Sequence, residues 1–198
     1  MKIGVLALQG AVAEHIKSLQ QAGADEVVPV KWPADLEGLD GLVLPGGEST
    51  TIGKLLNKYE LMEPLREKAK QGFPMFGTCA GLILLAERIH GQDWAHIGVL
   101  DALVDRNSFG RQVDSFETNL TVKGLEGEPY TAVFIRAPHI MEVGPDVEVL
   151  ATFEDRIVTA RQGNLLGASF HPELTDDVRL HSYFLRMVEE SKKQGASL

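Results

Sequence analysis

The sequence predicts an α/β fold: a three-layer, open, mostly parallel sheet with helices on both faces and some antiparallel strands in the second half. Three observations predict it. Short apolar runs without polar alternation recur in the first half, as strands buried on both faces require. Stretches of helix length separate these runs, and strand–helix alternation gives a parallel sheet. Beyond Arg88 the strand-like runs become β-branched with polar alternation, which favours antiparallel pairing around or beyond the same sheet.

Residues 3–8 read as the first strand. A signal peptide is the rival reading, but Gln9 interrupts the apolar run and only one lysine precedes it. Residues 11–22 read as a helix, with Val12, Ile16 and Leu19 on one stripe and Gly23 closing it. Residues 26–30 form a second strand, 32–40 a loop containing Pro33, and 41–44 a third strand ending at Pro45-Gly46-Gly47-Glu48-Ser49. Residues 50–59 and 61–71 look helical. Residues 73–76 form a strand, followed by Gly77-Thr78-Cys79-Ala80-Gly81 and an apolar run of helix length.

Residues 90–116 are mixed and glycine-punctuated. Residues 115–122, 130–135, 147–153 and 157–162 read as strands, with Glu154-Asp155-Arg156 as a hairpin turn. Residues 165–170 form another buried strand, ending at His171-Pro172-Glu173. Residues 176–193 form the last helix, with Val178, Tyr183, Leu185 and Val188 available for burial; 195–198 should fray.

The 198 residues suit one domain spanning 1–198 with a sizeable core. A net charge of −9, without an aromatic-interleaved basic stripe, excludes nucleic acid as an expected partner. No stretch approaches the ~20 apolar residues of a membrane span, so no membrane partner is expected. The single cysteine cannot form an internal disulfide. Its free thiol needs a reducing compartment, so a cytoplasmic location is expected. None of the six histidines pairs with another His or Cys at metal-ligand spacing, and neither metal nor cofactor is expected.

Gly-x-Cys-x-Gly between a strand and a helix is the thiol version of the nucleophile elbow. Glycines are needed because two backbone segments pass too closely for side chains. The turn lifts Cys79 above the sheet edge, and free N–H groups of the helix favour a thiolate. The bland alternative is a small buried hydrophobe. A cysteine nucleophile needs a base, and His171 sits just past an apolar run, at the same functional edge. Glu173, two residues on, shares its face in extended backbone and can orient the imidazole. Alone, His-Pro-Glu reads better as a loop before a helix. With the elbow, a Cys79–His171–Glu173 triad is the stronger reading.

An acyl-transfer site also needs donors for the developing oxyanion. The N–H groups of Ala80 and Gly47 are the candidates. Because glycine rotates its peptide at little steric cost, the hole can stay unformed until something closes it. A phosphate loop is the rival for Gly46-Gly47, but Glu48 stands where a lysine is required and repels phosphate.

LPGGES, GTCAGLILLA and SFHPE, in that order, resemble the class I glutamine amidotransferase family. The flavodoxin-like fold of its glutaminases matches the sheet expected above. Within it the chain is similar, end to end, to the glutaminase-subunit branch serving pyridoxal 5′-phosphate synthases. LALQGAVAEH, GVLDALVDRNSFGRQVDSFE and VFIRAPHI carry that likeness. Leu82-Ile83-Leu84 occupies the place where other branches carry a Gln, which argues against the guanylate, anthranilate and carbamoyl-phosphate branches.

The resemblance implies hydrolysis of L-glutamine to L-glutamate, with ammonia passed to a synthase subunit in a hetero-oligomer for vitamin B6 biosynthesis. It implies Cys79 as nucleophile, His171 as general acid/base and Glu173 as its orienting partner. It also implies that Gly46, Gly47, Glu48, Arg106, Ile135 and Arg136 bind glutamine. Physical chemistry agrees: a carboxylate suits Arg106 and Arg136, and an ammonium suits Glu48. Two rivals remain at this point: a stand-alone cysteine hydrolase of similar fold, and a non-catalytic redox or regulatory module. Glutamine turnover separates the first, and a complete triad argues against the second.

Overall fold

The computed structural model describes residues 1–106 and 114–196. The chain begins with β1 (Lys2–Leu6), α1 (Val12–Gln21), β2 (Glu26–Val30) and β3 (Gly41–Leu44). It continues through α2 (Ser49–Lys58), α3 (Met62–Lys70), β4 (Met75–Thr78), α4 (Ala80–Leu85), β5 (Ala86–Ile89) and β6 (Leu100–Asp105). Next come β7 (Ser115–Leu120), β8 (Tyr130–Ile135), β9 (His139–Val143), β10 (Glu148–Phe153), β11 (Arg156–Gln162), β12 (Leu165–Ala168) and α5 (Arg179–Ala196).

Among the described residues, ten strands form one sheet in the order β2-β1-β3-β4-β12-β11-β9-β6-β5, with β10 paired to β11. The β2-β1-β3-β4-β12 half is wholly parallel. Antiparallel pairs enter at β12–β11 and continue through β11–β9 and β9–β6. Because β1 pairs with both β2 and β3, the strand order reverses there. Ligands in open α/β sheets bind outside the carboxyl ends of strands at such a switch point.

Both faces are covered, which explains the missing polar alternation. Leu42 and Leu44 of β3 join one core with Ile52, Leu56 and Leu82. Val43 between them joins a second core with Leu19, Phe184 and Val188. One face therefore packs on α2, α3 and α4, and the other on α1 and α5. β7 and β8 form a separate two-stranded antiparallel sheet. Tyr130 and Phe134 of β8 enter the second core, and Phe134 stacks on Phe116 at 4.7 Å between ring centroids. Glu154 and Asp155 turn β10 into β11 with φ of 48° and 63°, as a tight hairpin requires. Among the described residues, no helix is long and apolar enough to cross a membrane.

Several expectations need correction. The apolar run after Cys79 is not one long helix: α4 stops at Leu85 and Ala86 turns extended, because residues 86–89 pair with β6. All six residues of α4 are buried, so periodicity carried no boundary signal. β5, β6 and β9 went unread within or near mixed segments. The 32–40 loop contains a 3-10 turn at Pro33–Leu36. The last helix starts at Arg179, three residues later than expected, and runs through Ala196. Its buried stripe is Leu180, His181, Phe184, Leu185, Met187 and Val188, whereas Val178 and Tyr183 are only half-buried. Residues 107–113 of the middle motif, and 197–198, lie outside the described residues.

The elbow depends on backbone contact. A Cβ on Gly81 would overlap the Leu44 carbonyl oxygen, and one on Gly77 would overlap the Gly81 carbonyl. These obstacles are backbone atoms, which cannot swing aside. Gly81→Ala should therefore lower the free energy of unfolding by about 2 kcal/mol, within the usual range for overpacking. Urea denaturation measures it, and an unchanged midpoint contradicts the contact.

Candidate active site

Four strand ends meet at the carboxyl edge. β1 delivers Gln9-Gly10, β3 delivers Gly46-Gly47-Glu48, β4 delivers Cys79, and β12 leads to His171. Cys79 has φ 51° and ψ −108°, a conformation costing a non-glycine residue about 1–3 kcal/mol. Its backbone is held from both sides: its N–H donates to Ala168 O at 2.9 Å, and its carbonyl accepts from Leu82 N. The thiol faces the Ile135 carbonyl at 3.9 Å. Ile135 therefore contributes backbone to the site.

His171 lies on the same side of the elbow as the thiol, across the Gly46 backbone. Gly46 is packed between them; a Cβ there would sit 2.8 Å from His171 Cε1 and 3.3 Å from Cys79 Cβ. His171 Nδ1 meets Glu173 Oε1 at 2.6 Å, with the Glu173 side chain fully buried. The reason for this reach differs from the expected shared face of an extended segment. Pro172–Leu174 form a 3-10 turn, and His171 precedes it with φ −108° and ψ 86°. The tight turn brings the carboxylate back to the ring.

Burial alone would depress the basicity of His171. Hydrogen bonds and charge attraction from Cys79 and Glu173 outweigh it and raise the pKa to about 10. The site thus favours an imidazolium beside the sulfur.

The other expected residues surround the thiol. Gly47, Glu48, Ser49, Cys79, Ala80, Ile83, Arg106 and Arg136 line a pocket of about 300 Å3. Arg106 donates to Thr50 Oγ1 at 3.2 Å. Arg136 has φ 44° and a largely exposed side chain 3.7 Å from Asp114. Glu48 has a role that was not anticipated: it caps α2, accepting from Thr50 N, Thr51 N and Thr51 Oγ1. The Thr51 hydroxyl, together with the backbone N–H groups, pulls its pKa down to about 2. The carboxylate is therefore a fixed negative charge on the pocket wall.

Other residues were missed. Gln9 Oε1 accepts from Glu48 N at 2.6 Å, and Gly10 packs directly against the Gly46 carbonyl. Together they pin the Gly46-Gly47 turn, where Gly47 has φ 147°. His15, Thr78 and His181 form a buried group behind Glu173. The glycine of Gln9-Gly10 was the available signal for the first pair. The histidines sit among apolar residues and gave none.

The pKa of His171 links the site to stability. Its folded value of about 10 exceeds the ordinary 6.5, so the folded chain binds the proton more tightly. This contribution is fully present below about pH 6.5 and is lost as pH rises through about 10. Urea unfolding of the wild type should show stability falling across that window. The His171→Asn variant should show a flatter dependence, and equal slopes contradict the linkage.

A family model described as the SNO glutamine amidotransferase family matches residues 5–190. A protein from Bacillus licheniformis named "Pyridoxal 5'-phosphate synthase subunit PdxT" is 62% identical over 195 residues, covering 98% of each chain. A protein of the same name from Geobacillus kaustophilus is 64% identical over 192 residues, covering 97% of each. A solved structure described as a glutamine amidotransferase superposes with a TM-score of 0.89 at 50% identity, covering 94% of this chain and 98% of its own.

Proposed function

The chain belongs to the SNO glutamine amidotransferase family, and on that premise we propose that it hydrolyses L-glutamine to L-glutamate and ammonia through a thioester on Cys79. The ammonia passes to the synthase subunit of a pyridoxal 5′-phosphate synthase, the assembly for which the relatives are named. One observation carries the reading: a cysteine on a strained elbow beside a histidine whose far nitrogen is 2.6 Å from a buried carboxylate. Neither a packing cysteine nor a simple redox sensor needs that third member.

The steps follow from the residues. Glutamine enters the pocket with its carboxylate toward Arg106 and Arg136 and its ammonium toward Glu48. The ionised Glu48 retains acceptor sites beyond those used to cap α2. His171 takes the thiol proton and so becomes the imidazolium that the site favours, and the Cys79 sulfur attacks the side-chain amide carbon. The N–H groups of Gly47 and Ala80 receive the oxyanion. His171 protonates the departing ammonia while Glu173 holds the imidazolium. Water, deprotonated by His171, then hydrolyses the thioester through a second oxyanion. A reducing cytoplasm keeps the thiol available between turnovers.

The Gly46-Gly47 turn supplies the control. Partner docking at this edge rotates the Gly47 peptide and completes the oxyanion hole, which prevents wasteful release of ammonia. The turn has only glycines to move, and Gln9 ties the adjacent Glu48 N–H.

Cys79→Ser should lower glutaminase kcat by about 10³-fold or more while leaving the circular dichroism spectrum unchanged. Undiminished turnover in that variant overturns the assignment. Adding the synthase subunit should raise kcat/KM of the wild type, and equal rates with and without it contradict the gating.

A further inference from the structure

The triad carboxylate has a second face that the steps above do not use. Glu173 Oε1 is occupied by His171. Glu173 Oε2 is buried and has no hydrogen-bond partner within the usual range among the described residues. The group facing it is His15 Nε2 of α1, at 3.4 Å. An ionised oxygen left without a donor in such a place is costly, so the identity of that neighbour matters.

His15 is itself fully buried and makes two further contacts. Its Nε2 lies 3.2 Å from Thr78 Oγ1, on the residue preceding the nucleophile. Its Nδ1 lies 2.9 Å from His181 Nε2 of α5. Burial, followed by the neighbouring charges of His181 and His171, pushes the pKa of His15 well below the ordinary value. Burial lowers His181 to about 4. Both rings are therefore neutral, with one N–H each.

Two arrangements of those hydrogens exist. In the first, His181 Nε2–H donates to His15 Nδ1, and His15 Nε2–H points at Glu173 Oε2 and Thr78 Oγ1. The buried, partnerless His181 Nδ1 is then only a lone pair. In the second, His15 Nδ1–H donates to His181. That sets the His15 Nε2 lone pair against a carboxylate and leaves a buried N–H on His181 without an acceptor. The first arrangement avoids both penalties.

We propose that His15 is a positioning residue for the triad: its Nε2–H holds Glu173 Oε2, so that Oε1 is presented to His171. His181 fixes the tautomer that makes this possible. Helices α1 and α5, which lie across the sheet from the substrate pocket, thereby set the orientation of the general base. The inference rests on the glutaminase reading above.

Two measurements on the full chain test it. In ¹⁵N-histidine spectra of the wild type, His15 should carry its proton on Nε2. That N–H resonance should move in Glu173→Gln. A proton on Nδ1 overturns the proposal whatever the kinetics show. In glutaminase assays with the synthase subunit present, His15→Leu should lower kcat about 10- to 100-fold with KM for L-glutamine within about 2-fold. His15→Gln places an amide N–H near the position of Nε2–H and should recover most of that loss. Equal kcat in wild type and His15→Leu overturns the role, as does equal damage in the Leu and Gln variants when both remain folded by circular dichroism. If His15→Leu fails to fold, the spectra and His15→Gln decide. A wild type that leaves glutamine intact overturns the glutaminase reading instead, and the spectra still decide the hydrogen bond.

Discussion

Backbone meets backbone with no room for a side chain where Gly81 faces the Leu44 carbonyl, with Gly77 against the Gly81 carbonyl. That contact sets where α4 begins relative to β3 and β4. It therefore sets where the sulfur of Cys79 sits relative to the Gly46-Gly47 turn at the end of β3. Two adjacent parallel strands thus place the Cys79 thiol and the neighbouring N–H groups in fixed relation. The positive φ of Cys79 is the local cost, offset by hydrogen bonds to Ala168 and from Leu82.

Electrostatics divides the histidines of this edge into two kinds. His171 is pushed toward the imidazolium, because negative charge at the Cys79 sulfur and the Glu173 carboxylate outweighs its burial. His15 and His181, deeper in the same cluster, are kept neutral by burial. One negative charge, on Glu173, borders both kinds. A buried carboxylate placed between a charged and a neutral ring can orient the first while accepting a hydrogen bond from the second. Groups whose environments push their pKa values apart are typical of acid–base sites.

Much of this was legible in the sequence, for identifiable reasons. β2, β3 and β8 were read at their observed bounds, since β-branched or apolar runs there are bracketed by turn residues. Cys79, His171 and Gly46-Gly47-Glu48 stood out because each follows a buried strand, and parallel topology sends all such ends to one edge. β5 was hidden because Ala86 continues the apolar run of α4. β6 carries Asp101 and Asp105 in alternation, which resembles a polar loop beside the glycines of that region. The contacts of His15 were not legible: its partner His181 is 166 positions away, and a histidine on an apolar stripe looks like any core residue. The capping role of Glu48 was overlooked in favour of substrate binding, although a carboxylate before Ser-Thr-Thr is a recognisable helix start.

The central claim is chemical: the amide carbon of glutamine becomes bonded to the sulfur of Cys79. Rapid acid quenching of the full chain during glutamine turnover, followed by peptide mass spectrometry, tests this most directly. A γ-glutamyl thioester should be found on the peptide containing Cys79, and it should disappear once glutamine is exhausted. Continuing turnover with no adduct on that peptide, or with the adduct on another residue, would contradict it.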